Sequence, residues 1–240
     1  DATHVHSWKA HLEEEGYVVI KDILDQPSFD KVISLFKKDW ATMAPLFDLE
    51  NKDTWMQDLS PHVYGWINGM VNTAGFGQSD YQWALRTHEN IVNIWKQVHN
   101  TNDLVVSFDG ASVFLDISQP GMYLHTDQNP NDWLYSIQGA FNVLPVHIFD
   151  SGFVVVPRSH KTFRPNIPNE QEFAVPSPKD EHWTQAVKLI IPENCFVLWN
   201  SKTLHGNIGM KDPKEREFNR LTSYITYFPR ALQSKKSKKE

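Results

Sequence analysis

Cysteine is nearly missing from this sequence: among 240 residues there is one, Cys195. A single thiol excludes an internal disulfide framework, so packing and hydrogen bonds must hold the fold, and a reducing, cytoplasmic setting is expected. Long apolar runs are missing too, and none approaches the ~20 residues of a membrane-spanning helix. Positive charge is not in excess. The formal net charge is −6, so no nucleic-acid partner is expected. Internal repeats are absent. The chain starts at Asp1 rather than Met, as after removal of a leader or tag, which leaves the compartment open. What is plentiful is aromatic: nine Trp and fourteen Phe, enough to fill a β interior or line a pocket.

The texture changes once along the chain. Up to about residue 103 it reads mostly as helix. HLEEEGYVVIKDILD gives a short helix, a stop at Gly16 and a strand from Tyr17 to Ile20. With Ser28 as expected N-cap, Phe29, Val32, Ile33, Phe36 and Trp40 fall at helical spacing, and Ile91, Ile94, Trp95 and Val98 do the same. Residues 41–87 have no clear period and are expected to form loops. From Leu104 short β-rich runs follow one another: LVVSF, ASVFLD, MYLHTD, SIQGAFNVLPV, GFVVVP, AVKLIIP, NCFVLWN and LTSYITYF. Turn residues separate them and no long helix intervenes, which argues a sandwich or barrel and not alternating βαβ units. The expected organisation is one domain over 1–233, with its jelly-roll core at about 104–230. Residues 161–185 form a polar insertion that could be a lid, and 234–240 a basic, disordered tail.

In GMYLHTDQNP, His125 and Asp127 stand two apart in a run with strand character, so alternation points both to one face. An imidazole beside a carboxylate makes two thirds of the 2-His-1-carboxylate triad that holds iron(II) with open positions. The third ligand should come from a later strand, and LWNSKTLHGNIG offers His205, after an apolar strand and before a glycine turn. An exposed His and an Asp serving the turn at Gln128–Pro130 would look the same in isolation. Arg220 opens the run RLTSYITYFP. Its planar fork suits the distal carboxylate of a dicarboxylate co-substrate whose other end chelates the metal. Thr222 shares its strand face, as does Tyr224; Arg216, Arg230 and Lys214 compete for the same role.

Taken in order, His-x-Asp, GFVVVPRSH, the apolar strand into LHGN and the Arg-led strand resemble the phytanoyl-CoA dioxygenase-like family of Fe(II)/2-oxoglutarate oxygenases. EEGYVVIKDIL is similar to that family's opening segment. The resemblance covers most of residues 12–229 and is weakest over 41–103. It implies a mainly β fold with flanking α: a double-stranded β-helix (jelly-roll, cupin-like) core with N-terminal helices. It implies His125, Asp127 and His205 as iron ligands, Arg220 as the 2-oxoglutarate arginine, and dioxygen as oxidant. The implied reaction hydroxylates an organic substrate and releases succinate and carbon dioxide. Two features depart from the pattern. Arg158 stands where the family usually has glycine, which could put a cation at the pocket mouth. The insert MKDPKEREFN lengthens the spacing from His205 to Arg220.

Strand parity adds further candidates. Tyr123 shares the face of His125 and could donate to 2-oxoglutarate. In SIQGAFNVLPV the face with Ser136, Gln138, Ala140 and Asn142 is expected inward, because buried polar groups need partners that a ligand supplies. The family resemblance instead turns Phe141 toward the co-substrate. Trp133, Gln138, Trp199 and Arg158 are candidate substrate contacts, with Arg86 and Asp109 behind them. Cys195 reads as a buried hydrophobe. Two rivals stand beside the oxygenase reading: a cupin-like metalloenzyme that needs no oxo acid, and a non-catalytic jelly-roll binding protein.

Overall fold

The computed structural model describes residues 5–51, 53–54, 69–72, 75–115, 122–133, 135–209 and 218–232. Helix α1 (Val5–Glu15) ends where Gly16 takes a positive φ of 82°, its N–H closing on the Leu12 carbonyl at 2.9 Å. The chain turns directly into β1 (Tyr17–Ile20), whose Val18 and Ile20 point into the core. Asp25, not Ser28, caps α2 (Gln26–Met43): its carboxylate accepts the Ser28 N–H at 2.8 Å. The expected Ser28 cap is corrected because Pro27, which needs no N–H partner, fits the first turn and moves the helix start back. Phe29, Val32, Phe36 and Trp40 form its buried stripe, each worth about 1.5–3 kcal/mol when removed from water.

A helix also forms where loops were expected. α3 (Asp80–Arg86) is capped by Ser79 and buries Gln82 and Arg86 along with Tyr81 and Leu85. Two of its four buried positions are polar, so an apolar period could not reveal it. Gln82 Nε2 donates to the Gly110 carbonyl at 2.9 Å, and the Arg86 guanidinium donates to the carbonyls of Gly77 and Asp109. α4 (Glu89–His99) then lays Ile91, Ile94 and Trp95 on the sheet as expected.

The remaining strands are β2 (Met70–Val71), β3 (Leu104–Val106), β4 (Ala111–Leu115), β5 (Ile137–Asn142), β6 (Gly152–Val155), β7 (Val187–Lys188), β8 (Cys195–Asn200), β9 (His205–Ile208), β10 (Phe218–Tyr224) and β11 (Tyr227–Pro229). One sheet runs β1-β8-β5-β10-β4-β2; a second runs β7-β6-β9; β11 and β3 form a ribbon. All pairings among the described strands are antiparallel. The large sheet is covered on both faces. Phe141, Phe196 and Leu198 pack against the helices, while Ala140, Val197 and Trp199 face the small sheet with Phe153 and Val155. That double burial is why NCFVLWN is apolar throughout instead of alternating. Gly139 in β5 is needed for the helix side, since a Cβ there would come within 2.7 Å of the Trp95 ring and 2.8 Å of Phe196.

Three expectations about the strands change. MYLHTD forms no regular strand; only His125 and Thr126 pair, as single bridges to His205 and Ala174. LHGN is not a turn, because His205 begins β9. RLTSYITYFP is broken at Ile225–Thr226, and its first strand starts earlier, at Phe218. The insertion carries α5 (Ser159–Thr162) and α6 (His182–Gln185) and is tied down at several points. Thr126 N–H donates to the Ala174 carbonyl at 2.8 Å, and buried His182 bridges Asp180 at 2.6 Å and Thr162 at 3.1 Å. Lys214, Arg216 and the rest of the insert before Phe218, together with the basic tail, lie outside the described residues.

Candidate metal centre and its cavity

The site begins with a close approach of two chains. Any Cβ on Gly206 would run into the carbonyl oxygen of Tyr123, so glycine lets the segment around His125 lie against β9. His125 N–H then donates to the His205 carbonyl at 2.9 Å, and His205 N–H to the His125 carbonyl at 3.0 Å. In such a hydrogen-bonded pair the two side chains project to the same face; the imidazole centroids are 4.7 Å apart. Two residues on, Asp127 N–H donates to the Ser201 carbonyl at 2.9 Å, which returns its carboxylate to that face. Oδ1 lies 3.2 Å from His125 Nε2, and Oδ2 lies 3.2 Å from His205 Nε2. The ligand atoms of all three residues fall within 4.8 Å of one another.

The electrostatics suit a cation. His205 Nδ1 sits 2.8 Å from the Thr203 carbonyl, to which it can donate, so Nε2 is the nitrogen turned toward Asp127 and available to a metal. Burial pushes the Asp127 carboxyl upward, but hydrogen bonds and charge from His125 and His205 outweigh it and hold it well below the usual carboxylate range. Gln138 adds a donor, its Nε2 lying 2.7 Å from Asp127 Oδ2. Two imidazoles and a carboxylate converging on one point are the donor set that fits non-haem iron(II).

A cavity of about 430 Å³ opens from these three residues between the two sheets. A second, of about 10 Å³ and so the size of one water, lies beside Arg220. Phe153, Trp199 and Tyr224 line both, so these rings divide the metal end from the arginine end. Arg220 is fully buried, which pulls its pKa down. Its guanidinium donates to Asn207 Oδ1 at 2.6 Å and to Thr222 Oγ1 at 3.3 Å. Thr222 donates in turn to Asn142 Oδ1 at 3.0 Å.

Most candidates from the sequence meet here. Gln138 and Trp199 line the large cavity, and Asn142, Thr222, Trp199 and Arg220 the small one. The inward polar face of β5 therefore holds, and Phe141 is corrected: it packs on Phe29 beneath α2. Four others lie elsewhere. Tyr123 stacks on the His125 ring at 5.1 Å but stays half-exposed and outside the cavity lining. Arg158 is not at the pocket mouth. It adopts a left-handed φ of 65°, which glycine would favour, and its exposed guanidinium pairs with Glu15 at 2.6 Å. Trp133 is 86% exposed and borders a separate groove beside α1. Arg86 lies buried behind the wall, while Asp109 does line the cavity. Cys195 is buried, and burial pushes its thiol up to about 11. Sequence reasoning missed Asn207 and Phe153. Asn207 stands two residues after His205 on the same strand face, so parity was the available signal; for Phe153 there was none.

No family model matches the chain. Two curated proteins match most of it. "Ava biosynthesis cluster protein O" of Aspergillus versicolor is 24% identical over 98% of this chain and 81% of its own. "Putative phytanoyl-CoA dioxygenase" of Dictyostelium discoideum is 20% identical over 91% of this chain and 74% of its own. Among solved structures, the epimerase SnoN in complex with Fe3+, alpha ketoglutarate and nogalamycin RO aligns with a TM-score of 0.64. It is 16% identical and the alignment covers 95% of this chain and 85% of that one. The chain has the fold of the 2-oxoglutarate-dependent oxygenases. Its jelly-roll core and N-terminal helices are those the sequence led us to expect, and no described helix is long and apolar enough to cross a membrane.

Proposed function

We propose that the protein is a non-haem iron(II) oxygenase that uses 2-oxoglutarate and dioxygen to hydroxylate a small organic molecule. The observation that carries this reading is the convergence of His125, Asp127 and His205 at one end of a cavity that abuts a second one holding buried Arg220. The three residues would hold iron(II). Arg220, steadied by Asn207 and Thr222, would take the distal carboxylate of 2-oxoglutarate through its planar fork. Bound there, iron and the oxo acid supply the oxidation of a substrate C–H bond, with succinate and carbon dioxide released. The chain does the rest. Phe153 and Trp199 wall the metal end with apolar surface that keeps water out. His205 is fixed by the Thr203 carbonyl, so its lone pair stays aimed at the metal. A cavity of about 430 Å³ suits a small molecule.

The test is anaerobic addition of iron(II) and 2-oxoglutarate to the metal-free protein, following visible absorption. The weak charge-transfer band of the chelate is expected only with both present. Metal binding without that band would favour the cupin-like enzyme that needs no oxo acid, and no stoichiometric iron at all would favour a non-catalytic jelly roll.

A further inference from the structure

Gln138 is held at one end and open at the other. Its Nε2 donates to Asp127 Oδ2 at 2.7 Å. A carboxylate only accepts, so the amide cannot be flipped, and Oε1 must point away from Asp127. That oxygen is buried and has no hydrogen-bond partner in the structure, on a residue that lines the large cavity. Buried amide oxygens are nearly always satisfied, so the missing donor belongs to whatever fills the cavity.

The charge of the walls narrows what that is. Among the described residues lining the cavity, the acidic side chains are Asp127 and Asp109, with no Lys or Arg. Arg86, close to Asp109, is buried behind Phe108, donates to the carbonyls of Gly77 and Asp109 and is not part of the lining. Besides Gln138 and the two imidazoles, the neutral polar side chains are Asn72, Asn207, Tyr224 and Thr226, and the rim carries exposed Phe108 and Met70. With a metal ion held by Asp127, the described lining carries one further carboxylate, Asp109, and no Lys or Arg for an anionic substrate to meet beyond the metal; a hydroxyl or amino group would find an open acceptor.

Building on the oxygenase reading, we infer that Gln138 both positions Asp127 and selects the substrate. That substrate is neutral or cationic, donates a hydroxyl or amino hydrogen to Oε1, and rests an apolar face on Phe108 and Met70. Substrates that carry a carboxylate or an acyl-CoA group bind less well than these.

The experiment uses the full chain saturated with cobalt(II) in place of iron, and with 2-oxoglutarate. Four probes share one flat skeleton: naphthylethanol, naphthylethylamine, naphthylacetate and ethylnaphthalene. Calorimetry and cobalt absorption report binding. The alcohol and the amine are expected to bind about tenfold or more tighter than the acetate and the hydrocarbon. In Gln138→Leu the alcohol should lose that advantage over the hydrocarbon, and cobalt affinity should fall roughly ten- to a hundredfold. Gln138→Glu keeps an acceptor but loses the donor to Asp127, so it should weaken cobalt while retaining the amine. Acetate binding as tightly as the alcohol, a preference that survives in Gln138→Leu, or no probe binding at all would each overturn the inference. Failure of the oxygenase reading looks different: cobalt or 2-oxoglutarate would not bind even before a probe is added.

Discussion

His125 and His205 form one reciprocal backbone pair, N–H to carbonyl at 2.9 and 3.0 Å, with Gly206 beside it pressed on the Tyr123 carbonyl. The main-chain hydrogen bonds therefore fix how far apart the two imidazoles start, and the Thr203 carbonyl orients the His205 ring. Gly206→Ala places a methyl group where the Tyr123 oxygen lies, and backbone cannot yield as a side chain would. The variant is expected to keep its far-ultraviolet circular dichroism but lose most of its iron affinity. Normal iron binding in Gly206→Ala would show that the pairing does not set the site.

Gly139→Ala probes the opposite face of the large sheet. Its methyl group would meet Trp95, Phe196 and the Ile225 carbonyl, at 2.7, 2.8 and 2.9 Å. Overpacking of this kind costs about 1–3 kcal/mol. A lowered denaturation midpoint with unchanged iron affinity is expected, separating this core from the metal end.

Removing a ligand should act on chemistry more than on folding. His125→Ala, His205→Ala and Asp127→Ala are each expected to abolish iron binding and 2-oxoglutarate turnover while the thermal midpoint of the metal-free protein stays near that of the wild type. Substantial iron-dependent succinate formation by any of them would reject that residue as a ligand.

Arg220→Ala leaves the co-substrate's distal carboxylate desolvated and without its partner. Losing one side of a buried, hydrogen-bonded charge pair costs on the order of 2–5 kcal/mol. That is roughly thirty- to several-thousand-fold weaker 2-oxoglutarate binding. Arg220→Lys should restore only part of it, because a point charge cannot replace the fork. Asn207→Leu, which removes the acceptor at 2.6 Å, should fall between wild type and Arg220→Ala. Iron affinity without 2-oxoglutarate should hardly change in any of the three.

Cys195 gives a pH signature. Burial raises its thiol from 9.0 to about 11 in the folded protein. The unfolded chain therefore loses the proton first, and stability falls as pH rises from about 9 to about 11, with no effect of this group below. Comparing denaturation midpoints of the wild type and Cys195→Val across that range isolates it. The wild type should lose stability relative to Cys195→Val as pH rises through that range; parallel curves would contradict the burial argument.

How far the sequence could be read depends on whether the cause was local. Helical spacing in Phe29–Trp40 and Ile91–Val98, and short runs broken by turn residues after Leu104, determined the element types, because the period of the apolar residues is a property of neighbouring positions. The His-x-Asp spacing of His125 and Asp127, with His205 after its apolar strand, marked the candidate metal end, although their common face comes from pairing with His205 and Ser201 and not from a regular strand. Polar burial hid α3, since Gln82 and Arg86 occupy core positions that a hydrophobic pattern counts as surface.

Only the tertiary structure decided what depends on residues far apart. Parity divides β5 into two faces but cannot say which looks inward when both are buried; the helices on the Phe141 side and the small sheet on the Gln138 side settled that. Arg158 looked available to a ligand until the fold brought it to Glu15, 143 residues away. Asn207 became the partner of Arg220 through a pairing of side chains 13 residues apart across the insert. The open oxygen of Gln138 exists only because Asp127, from another segment, claims the other end of its amide. Alternation and turn chemistry act between neighbours and so are written in the sequence, whereas hydrogen bonds and ion pairs choose among many chemically equal partners, and proximity in three dimensions makes that choice.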